Sequence, residues 1–216
     1  MAKIEINTKA MVAIMTQMVM KEAESYGPVY PRIVAKNVCE FLAKMINDQS
    51  PPKVNTLEEA VSYIMKNLVQ YPNGLGAIVY GTTLAQNALE GSIGAISKPT
   101  YDEATKQVSA KNNGALVDTS EAYRKQVENL KAMHMIGSNQ SVSGDGEFAL
   151  VKSEDCMFTD ACKAIMKLGI RSRTGAFQCP IGRSGAVSVQ MATGIPHDYE
   201  LVDFKPPDCT FKIFKA

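Results

Sequence analysis

The sequence predicts an α+β fold in which helices pack on an antiparallel sheet. Through most of residues 1–137, apolar residues recur three and four positions apart, which is the spacing of helices with one buried face. Near the end of the chain, residues 199–204 and 209–214 alternate between apolar and polar side chains, which predicts two strands joined as a hairpin across Pro206 and Pro207. A chain of 216 residues can form a single domain with one core, as we expect here.

Charge and composition argue against several classes of protein. The formal net charge is +1 and Lys and Arg form no block, which argues against a surface for nucleic acid. Lys3, Glu5 and Lys9 interrupt the apolar residues near the N-terminus, so we expect no secretory signal peptide. No run of roughly 18 uncharged apolar residues occurs, so we expect no transmembrane segment. Five cysteines without an export signal predict a reducing, cytoplasmic environment.

The first 137 residues are expected to be mainly helical. Thr8 is a candidate N-cap for the first helix, and Gly27 stands where that helix would end. The second helix is expected to begin near Pro31, because proline is favoured in a first turn. Thr56 and Glu59 have the spacing of a capping box for the third. The predicted helices are 8–26, 31–46, 57–71, 77–89 and 119–135.

Between and after these helices the sequence predicts loops and one strand. In the fourth helix, the small residue Gly81 would allow another helix to approach closely. The glycines around it do not match the phosphate-binding pattern G-x-x-x-x-G-K-[ST]. Residues 97–114 are polar and predict a long loop, and residues 137–146 predict a flexible turn. Residues 147–152 alternate as a short strand.

Four of the five cysteines lie in residues 147–216, which we interpret as a cysteine-bearing module. One helix is predicted from Cys156 to Leu168, and another begins over residues 177–180, with Pro180 near its first turn, and stops at Gly194. Zn²⁺ prefers four ligands in a tetrahedron, and four thiolates would leave no open position, so a zinc held by them would be structural. The candidate metal ligands are Cys156, Cys162, Cys179 and Cys209.

The residues themselves leave other interpretations of these cysteines open. No C-x-x-C pair occurs, and Cys156 and Cys162 would lie about 120° apart on a helix. Two alternatives are that the thiols are small buried core residues and that they bind an iron–sulfur cluster. Cys179 or Cys156 could also pair with His197 as a catalytic thiol and imidazole.

Four motifs carry a resemblance to a known family. In chain order they are DCMFTDACKAI, GAFQCPIGR, TGIPHDYELVDF and PPDCTFKIF. The chain resembles the 4-vinyl-reductase-like domain, a hydrocarbon-binding module of archaea and bacteria that is related in fold to the TRAPP vesicle-tethering subunits and to the sensor domains of aromatic-responsive regulators. The resemblance is best over residues 147–216. It implies a TRAPP-like fold, a homodimer and an internal apolar pocket for a hydrocarbon-like or lipid-like ligand.

The resemblance also bears on the metal. Relatives among the aromatic sensors hold a structural zinc near the pocket through cysteines and a carboxylate, and Cys179 and Cys209 are similar to two of those positions. The cysteine expected shortly before the last one is missing, and Leu201 and Val202 stand in its region. The residues that could replace it are Glu200, Asp203 and His197.

Three functions follow from these observations. The first is non-enzymatic binding of a small hydrophobic molecule, with a structural zinc; the apolar side chains would line a pocket, or else fill a core themselves. The second is a dimerising interaction subunit of a TRAPP-like assembly. The third is a reductase or thiol enzyme, although no dinucleotide fingerprint occurs. The predicted ligand-binding residues are Phe158, Ile165, Phe177, Val187 and Met191.

Overall fold

The computed structural model describes residues 7–91, 118–136, 139–171 and 179–216. The described residues form two compact units. The sheet unit comprises residues 7–11, 118–136, 139–156 and 179–216, and the helical unit comprises residues 12–91 and 157–171. The combination of helices with an antiparallel sheet confirms the predicted α+β class.

The helices and strands follow the chain in this order. The helices are α1 (Thr8–Tyr26), α2 (Val29–Ile46), α3 (Leu57–Asn67), α4 (Gly76–Glu90), α5 (Thr119–Ala132), α6 (Thr159–Lys167) and α7 (Pro180–Thr193), with a 3₁₀ turn at Pro72–Leu75 before α4. The strands are β1 (Asn139–Gly144), β2 (Phe148–Glu154), β3 (His197–Lys205) and β4 (Asp208–Lys215).

Local capping explains several helix ends. The side chain of Asn7, rather than that of Thr8, accepts the backbone N–H of Ala10 at 3.2 Å and caps α1. Gly27 has a φ of 79°, which a glycine adopts without strain, and it ends α1 as predicted. The capping box of Thr56 and Glu59 is present at the start of α3.

Helices α3, α5 and α6 are shorter in the structure than predicted, and α5 ends at Ala132 instead of residue 135. Helix α3 ends at Asn67 instead of residue 71, because the chain turns ahead of Pro72, and the residue before a proline is disfavoured in a helix. Helix α6 begins at Thr159 instead of Cys156. Asp155 has a φ of 53°, and the N–H of Cys156 donates to the carbonyl of Pro207 at 3.1 Å, so this stretch is a loop fixed to the β3–β4 turn.

Helices α2 and α4 pack closely in the helical unit, as the small surface of α4 predicts. A Cβ placed on Gly81 would lie 2.7 Å from Cγ2 of Val38 and 2.8 Å from the carbonyl oxygen of Val34. Near this contact the rings of Phe41 and Tyr80 stack with centroids 4.5 Å apart. Only a residue without a side chain permits this approach of the two backbones.

The four strands form one antiparallel sheet with the order β1-β2-β4-β3. The predicted hairpin of β3 and β4 is confirmed, with each strand slightly longer than expected. The prediction of a flexible turn over residues 137–146 is wrong, because residues 139–144 are the edge strand β1. Its sequence, NQSVSG, is polar because most of this strand is exposed, so no apolar alternation marks it.

Helices α5 and α7 cover one face of the sheet, and glycines let α7 approach closely. A Cβ on Gly185 would lie 2.6 Å from the ring of Tyr123 and 2.7 Å from Ile213. A Cβ on Gly182 would lie 2.7 Å from the ring of Tyr199. The buried core of the sheet unit comprises Ala122, Tyr123, Val127, Ala149, Val151, Cys179, Ala186, Val189, Ala192, Tyr199, Cys209, Phe211 and Ile213.

Two further sequence expectations concern the chain as a whole. The polar stretch 97–114, predicted as a long loop, lies outside the described residues. Among the helices that the structure describes, none has the length and apolar character needed to cross a membrane.

The close contact of α2 and α4 generates a first prediction. Gly81→Ala should lower the free energy of unfolding by about 1–3 kcal/mol, because the added methyl group overlaps the backbone of α2. Urea denaturation followed by circular dichroism measures this change. Gly146→Ala is the matched control, because no atom lies within 4 Å of its added Cβ. Equal stability of the two variants would contradict the packing described here.

Candidate functional site

The sheet unit buries three thiols and two phenols, and all of them except Cys156 belong to the core given above. Tyr123 lies on α5, Tyr199 on β3 and Cys209 on β4, while Cys179 is the residue before α7 and Cys156 follows β2. All five side chains are buried. Electrostatic coupling joins Tyr123 to each of the three thiols, and Cys179 to Cys156. We call this set the thiol–phenol cluster.

Cys179 is the cluster member whose surroundings are defined best. Its Sγ accepts the N–H of Gly182 at 3.3 Å and so caps α7, while its own N–H donates to the hydroxyl oxygen of Tyr199 at 3.4 Å. The pKa of the Cys179 thiol is raised to about 12, and burial is the main cause. The N–H of Gly182 opposes this rise, and the neighbouring Cys156 contributes to it. Near neutral pH this residue is therefore a thiol rather than a nucleophilic thiolate.

Tyr123 lies at the centre of the core. Its hydroxyl donates to Oε1 of Gln140 at 2.9 Å, and its ring meets that of Phe211 edge-on with centroids 6.1 Å apart. Burial, reinforced by the three thiols, raises the pKa of Tyr123 well above that of a free tyrosine. Nε2 of Gln140 is buried and has no hydrogen-bond partner among the described residues. An unused donor thus lies beside the cluster.

The four predicted metal ligands do not all fall in one unit. Cys156, Cys179 and Cys209 belong to the sheet unit, whereas Cys162 is half-buried on α6 in the helical unit. All five cysteines lie in described segments, and none forms a disulfide. Within the described ranges, no three side chains among His, Cys, Asp and Glu are grouped closely enough to hold a metal ion. As placed, the thiols do not form a ligand set, and the zinc stays a prediction from sequence.

The other candidate ligands are occupied by different partners. Glu200 lies 3.8 Å from the ammonium of Lys212, and Asp203 lies 2.7 Å from that of Lys205. His197 is buried, with Nδ1 2.7 Å from the carbonyl oxygen of Ile195 and Nε2 2.9 Å from Oγ1 of Thr119. Both ring nitrogens of His197 therefore contact oxygen rather than sulfur, which is not the arrangement of a thiol–imidazole pair.

The predicted ligand-binding residues are distributed over both units. Phe158 and Ile165 are buried in the helical unit, and Phe177 lies outside the described residues. On α7, Val187 is buried and Met191 is 39% exposed. Neither of these two belongs to the core cluster, which takes Ala186, Val189 and Ala192 from the same helix. The structure does not bring the five residues together on one described surface of the sheet unit.

The sequence interpretation missed a buried polar network in the helical unit. Glu22 of α1 is 3% exposed, and its Oε2 accepts the hydroxyl of Tyr30 of α2 and, at 2.9 Å, Nε2 of Gln86 of α4. Burial raises the pKa of Glu22 more than these two hydrogen bonds lower it, and the charge of Glu90 raises it further. Its position on the helix could have revealed its burial, because Glu22 lies on the same face of α1 as the buried Met15 and Val19.

Comparison of the chain with protein-family models, with curated proteins and with solved structures gave no match. The family resemblance therefore rests on the sequence motifs alone and stays a prediction.

The surroundings of Cys179 generate a second prediction. With a thiol pKa near 12 instead of 9.0, its thiolate fraction at pH 8 is about a thousandfold lower than that of an ordinary cysteine, so alkylation should be slower by at least that factor. N-ethylmaleimide labelling of the native protein, followed by peptide mass spectrometry, measures the rate at each cysteine. Half-buried Cys162 is the internal reference. Equal rates at Cys162 and Cys179 would contradict the described burial.

The buried Glu22 generates a third prediction. Its pKa is raised by folding, so its contribution to stability is complete below the pKa of an unfolded glutamate and is lost as the pH rises through the folded value. Glu22→Gln keeps the shape and cannot ionise, so its free energy of unfolding should exceed that of the wild type increasingly between pH 4 and pH 8. Urea titrations across this range measure the difference.

Glu58→Gln is the matched control for this prediction, because Glu58 is exposed on α3. Its stability relative to the wild type should stay nearly constant over the same range. A wild type that gains stability relative to Glu22→Gln as the pH rises would show that Glu22 is ionised and compensated in the folded protein.

Proposed function

We propose that this chain is a non-enzymatic module that binds a small hydrophobic molecule at the thiol–phenol cluster of the sheet unit. The observation that carries the proposal is a small group of polar side chains in an otherwise apolar core, with the buried and unpaired Nε2 of Gln140 next to it on the edge strand. Apolar surroundings with a few converging polar groups are the usual form of a small-molecule site. The motif resemblance to a hydrocarbon-binding domain supports the same conclusion.

The polar groups of the cluster favour a particular kind of hydrophobic ligand. Nε2 of Gln140 can only donate hydrogen bonds, and the protonated thiol of Cys179 is a weak donor. A ligand that is mainly hydrocarbon but carries one acceptor oxygen, such as a carbonyl or an ether, would satisfy the unpaired amide and leave its apolar part against the core. A pure hydrocarbon would leave that donor unpaired, which costs free energy in a buried site.

The state of the candidate nucleophiles supports binding over catalysis. The raised pKa keeps Cys179 protonated. Both ring nitrogens of His197 already contact oxygen atoms of Ile195 and Thr119, so the ring is not positioned to act as a base towards a thiol. Burial lowers the pKa of His197, which keeps the ring neutral near pH 7. A reductase or thiol enzyme therefore stays the less supported alternative.

A dimerising interaction subunit of a TRAPP-like assembly is the second candidate. It is supported by exposed apolar side chains in the first two helices, where Met20 is 47% exposed and Val29 is 48% exposed. Surface methionine and valine of this kind favour contact with a partner. The homodimer and the structural zinc stay predictions that the experiment below also tests, and the cytoplasmic location stays a prediction.

Native mass spectrometry of freshly purified protein, combined with metal analysis, tests the proposal. We expect a retained mass of a lipid-like molecule, and we expect the delipidated protein to bind long-chain ketones or ethers in a fluorescence displacement assay. Tyr123→Phe removes only the hydroxyl that positions Gln140 and should weaken binding several-fold. Tyr63→Phe, which removes a hydroxyl bonded to Asp48 in the helical unit, is the matched control.

The outcomes separate the candidates. A delipidated protein that binds no apolar ligand overturns the binding proposal. A dimer mass without ligand favours the interaction subunit. One zinc per chain that is lost in Cys179→Ser or Cys209→Ser would establish the metal independently of the ligand.

A further inference from the structure

The helical unit contains buried oxygen atoms that no described group pairs. Gln86 and Thr83 are each 1% exposed, and Oε1 of Gln86 and Oγ1 of Thr83 have no hydrogen-bond partner in the described part of the chain. Folded proteins pair nearly all buried polar atoms, because each unpaired one loses its hydration without compensation. Oε1 of Gln86 can only accept, and the hydroxyl of Thr83 can accept as well. Both oxygen atoms therefore need a hydrogen-bond donor.

A carboxyl group stands beside them without a counter-charge. Oε2 of Glu22 accepts from Tyr30 and from Nε2 of Gln86. Among the described residues no cation pairs with Glu22, and no hydrogen bond reaches its other oxygen, Oε1. A buried carboxylate is stable only when a cation compensates it or when it takes up a proton. Without a cation, the network is therefore neutral only while Glu22 holds a proton.

The three acceptors belong to neighbouring side chains. The amide of Gln86 that donates to Glu22 also carries the unpaired Oε1, so this oxygen lies beside the carboxyl group. Thr83 precedes Gln86 by three residues on α4, which places the two side chains on adjacent turns of one helix face, roughly 5–6 Å apart at Cβ. Helices α1 and α4 thus supply all three oxygens.

We propose that Glu22, Gln86 and Thr83 bind the ammonium group of a small primary amine. A primary ammonium carries three N–H donors and one positive charge. Two of the acceptors are the buried, unpaired Oε1 of Gln86 and Oγ1 of Thr83. The third is the carboxylate of Glu22, whose two described hydrogen bonds both go to Oε2, and it supplies the single negative charge. The match of both donor number and charge selects this group over a quaternary ammonium, which has no N–H. The proposed site lies in the helical unit and is independent of the hydrophobic ligand proposed above.

Binding of the amine is coupled to the ionisation of Glu22. Burial favours the protonated carboxyl in the empty protein, so an arriving ammonium replaces that proton and restores electrical neutrality. The apparent affinity should therefore rise with pH for as long as the amine remains charged. The described groups that act on the carboxyl are Tyr30 and Gln86, which donate hydrogen bonds to it, and Glu90, whose negative charge disfavours its ionisation. Lys21 of the same helix pairs with Glu24 and not with Glu22.

Thermal unfolding at pH 8 in methylammonium chloride tests the inference, with tetramethylammonium chloride and potassium chloride at equal concentration as comparison salts. A ligand that binds only the folded state raises the melting temperature in a saturable way. We expect this rise with methylammonium alone, and we expect it to shrink at pH 6. Isothermal titration with methylammonium gives the dissociation constant for each variant.

Three variants define the site. Glu22→Gln keeps the shape but removes the charge, and it should raise the dissociation constant for methylammonium about tenfold or more. Thr83→Val has nearly the same shape and removes one acceptor, so it should raise the constant several-fold. Glu58→Gln is exposed on α3 and should leave it unchanged.

Each other outcome overturns the inference. Equal rises with all three salts would reflect ionic strength alone, and a rise with potassium alone would assign an alkali-ion site. No rise with any salt would mean that an interior water or the proton of Glu22 completes the network. An effect of methylammonium that persists in Glu22→Gln would place its binding elsewhere. None of these results bears on the hydrophobic ligand of the sheet unit.

Discussion

The contact of α7 with the sheet is the constraint on which the sheet unit depends. Strand β4 pairs with β2 on one side and β3 on the other, and its buried residues Phe211 and Ile213 face the helices. Gly182 and Gly185 let α7 approach so closely that any side chain at either position would overlap Tyr199 or Tyr123. Because this contact also fixes the start of α7, it determines where Cys179 lies and makes the thiol a helix cap.

The two polar groups of interest are buried for different reasons. In the sheet unit, thiols and phenols are compatible with an apolar core, because their neutral forms carry little hydration and burial keeps them neutral. In the helical unit, Glu22 is a group that water solvates strongly, and it is tolerated because two helices bring donors to one of its oxygens. The thiol and phenol of Cys179 and Tyr123 are thus neutral without any counter-charge, whereas Glu22 is neutral only while it holds a proton.

The sequence predicted those features that depend on local spacing. These features are the end of α1 at Gly27, the capping box that begins α3 at Thr56, and the β3–β4 hairpin. Each could be predicted because the residues that determine it lie close to one another in the chain. Features set by distant partners escaped prediction. Strand β1 carries no apolar alternation, and it forms because β2 pairs with it. Cys156 lies in a loop and not in α6, because its N–H donates to the carbonyl of Pro207.

The candidate sites follow the same division. Grouping the cysteines by their place in the chain anticipated that Cys156, Cys179 and Cys209 share a unit, but it could not separate Cys162, which α6 carries into the other one. The partners of Glu22 are 8 and 64 residues away along the chain, and no local pattern connects them. A glutamate that continues an apolar helix face is a signal of burial, but it does not identify the groups that surround it.

The place of β4 in the sheet has a consequence for biosynthesis. This strand is made after β1, β2 and β3, yet it lies between β2 and β3 and supplies pairing to both. On the ribosome, β2 and β3 therefore remain without their shared neighbour until residues 208–215 have left the exit tunnel. Helices α2, α3 and α4 lie within one early stretch of chain and can associate before then. Nascent chains of this protein should thus expose unpaired strand edges, and the sheet unit, rather than the helical unit, is the part that would benefit from a chaperone.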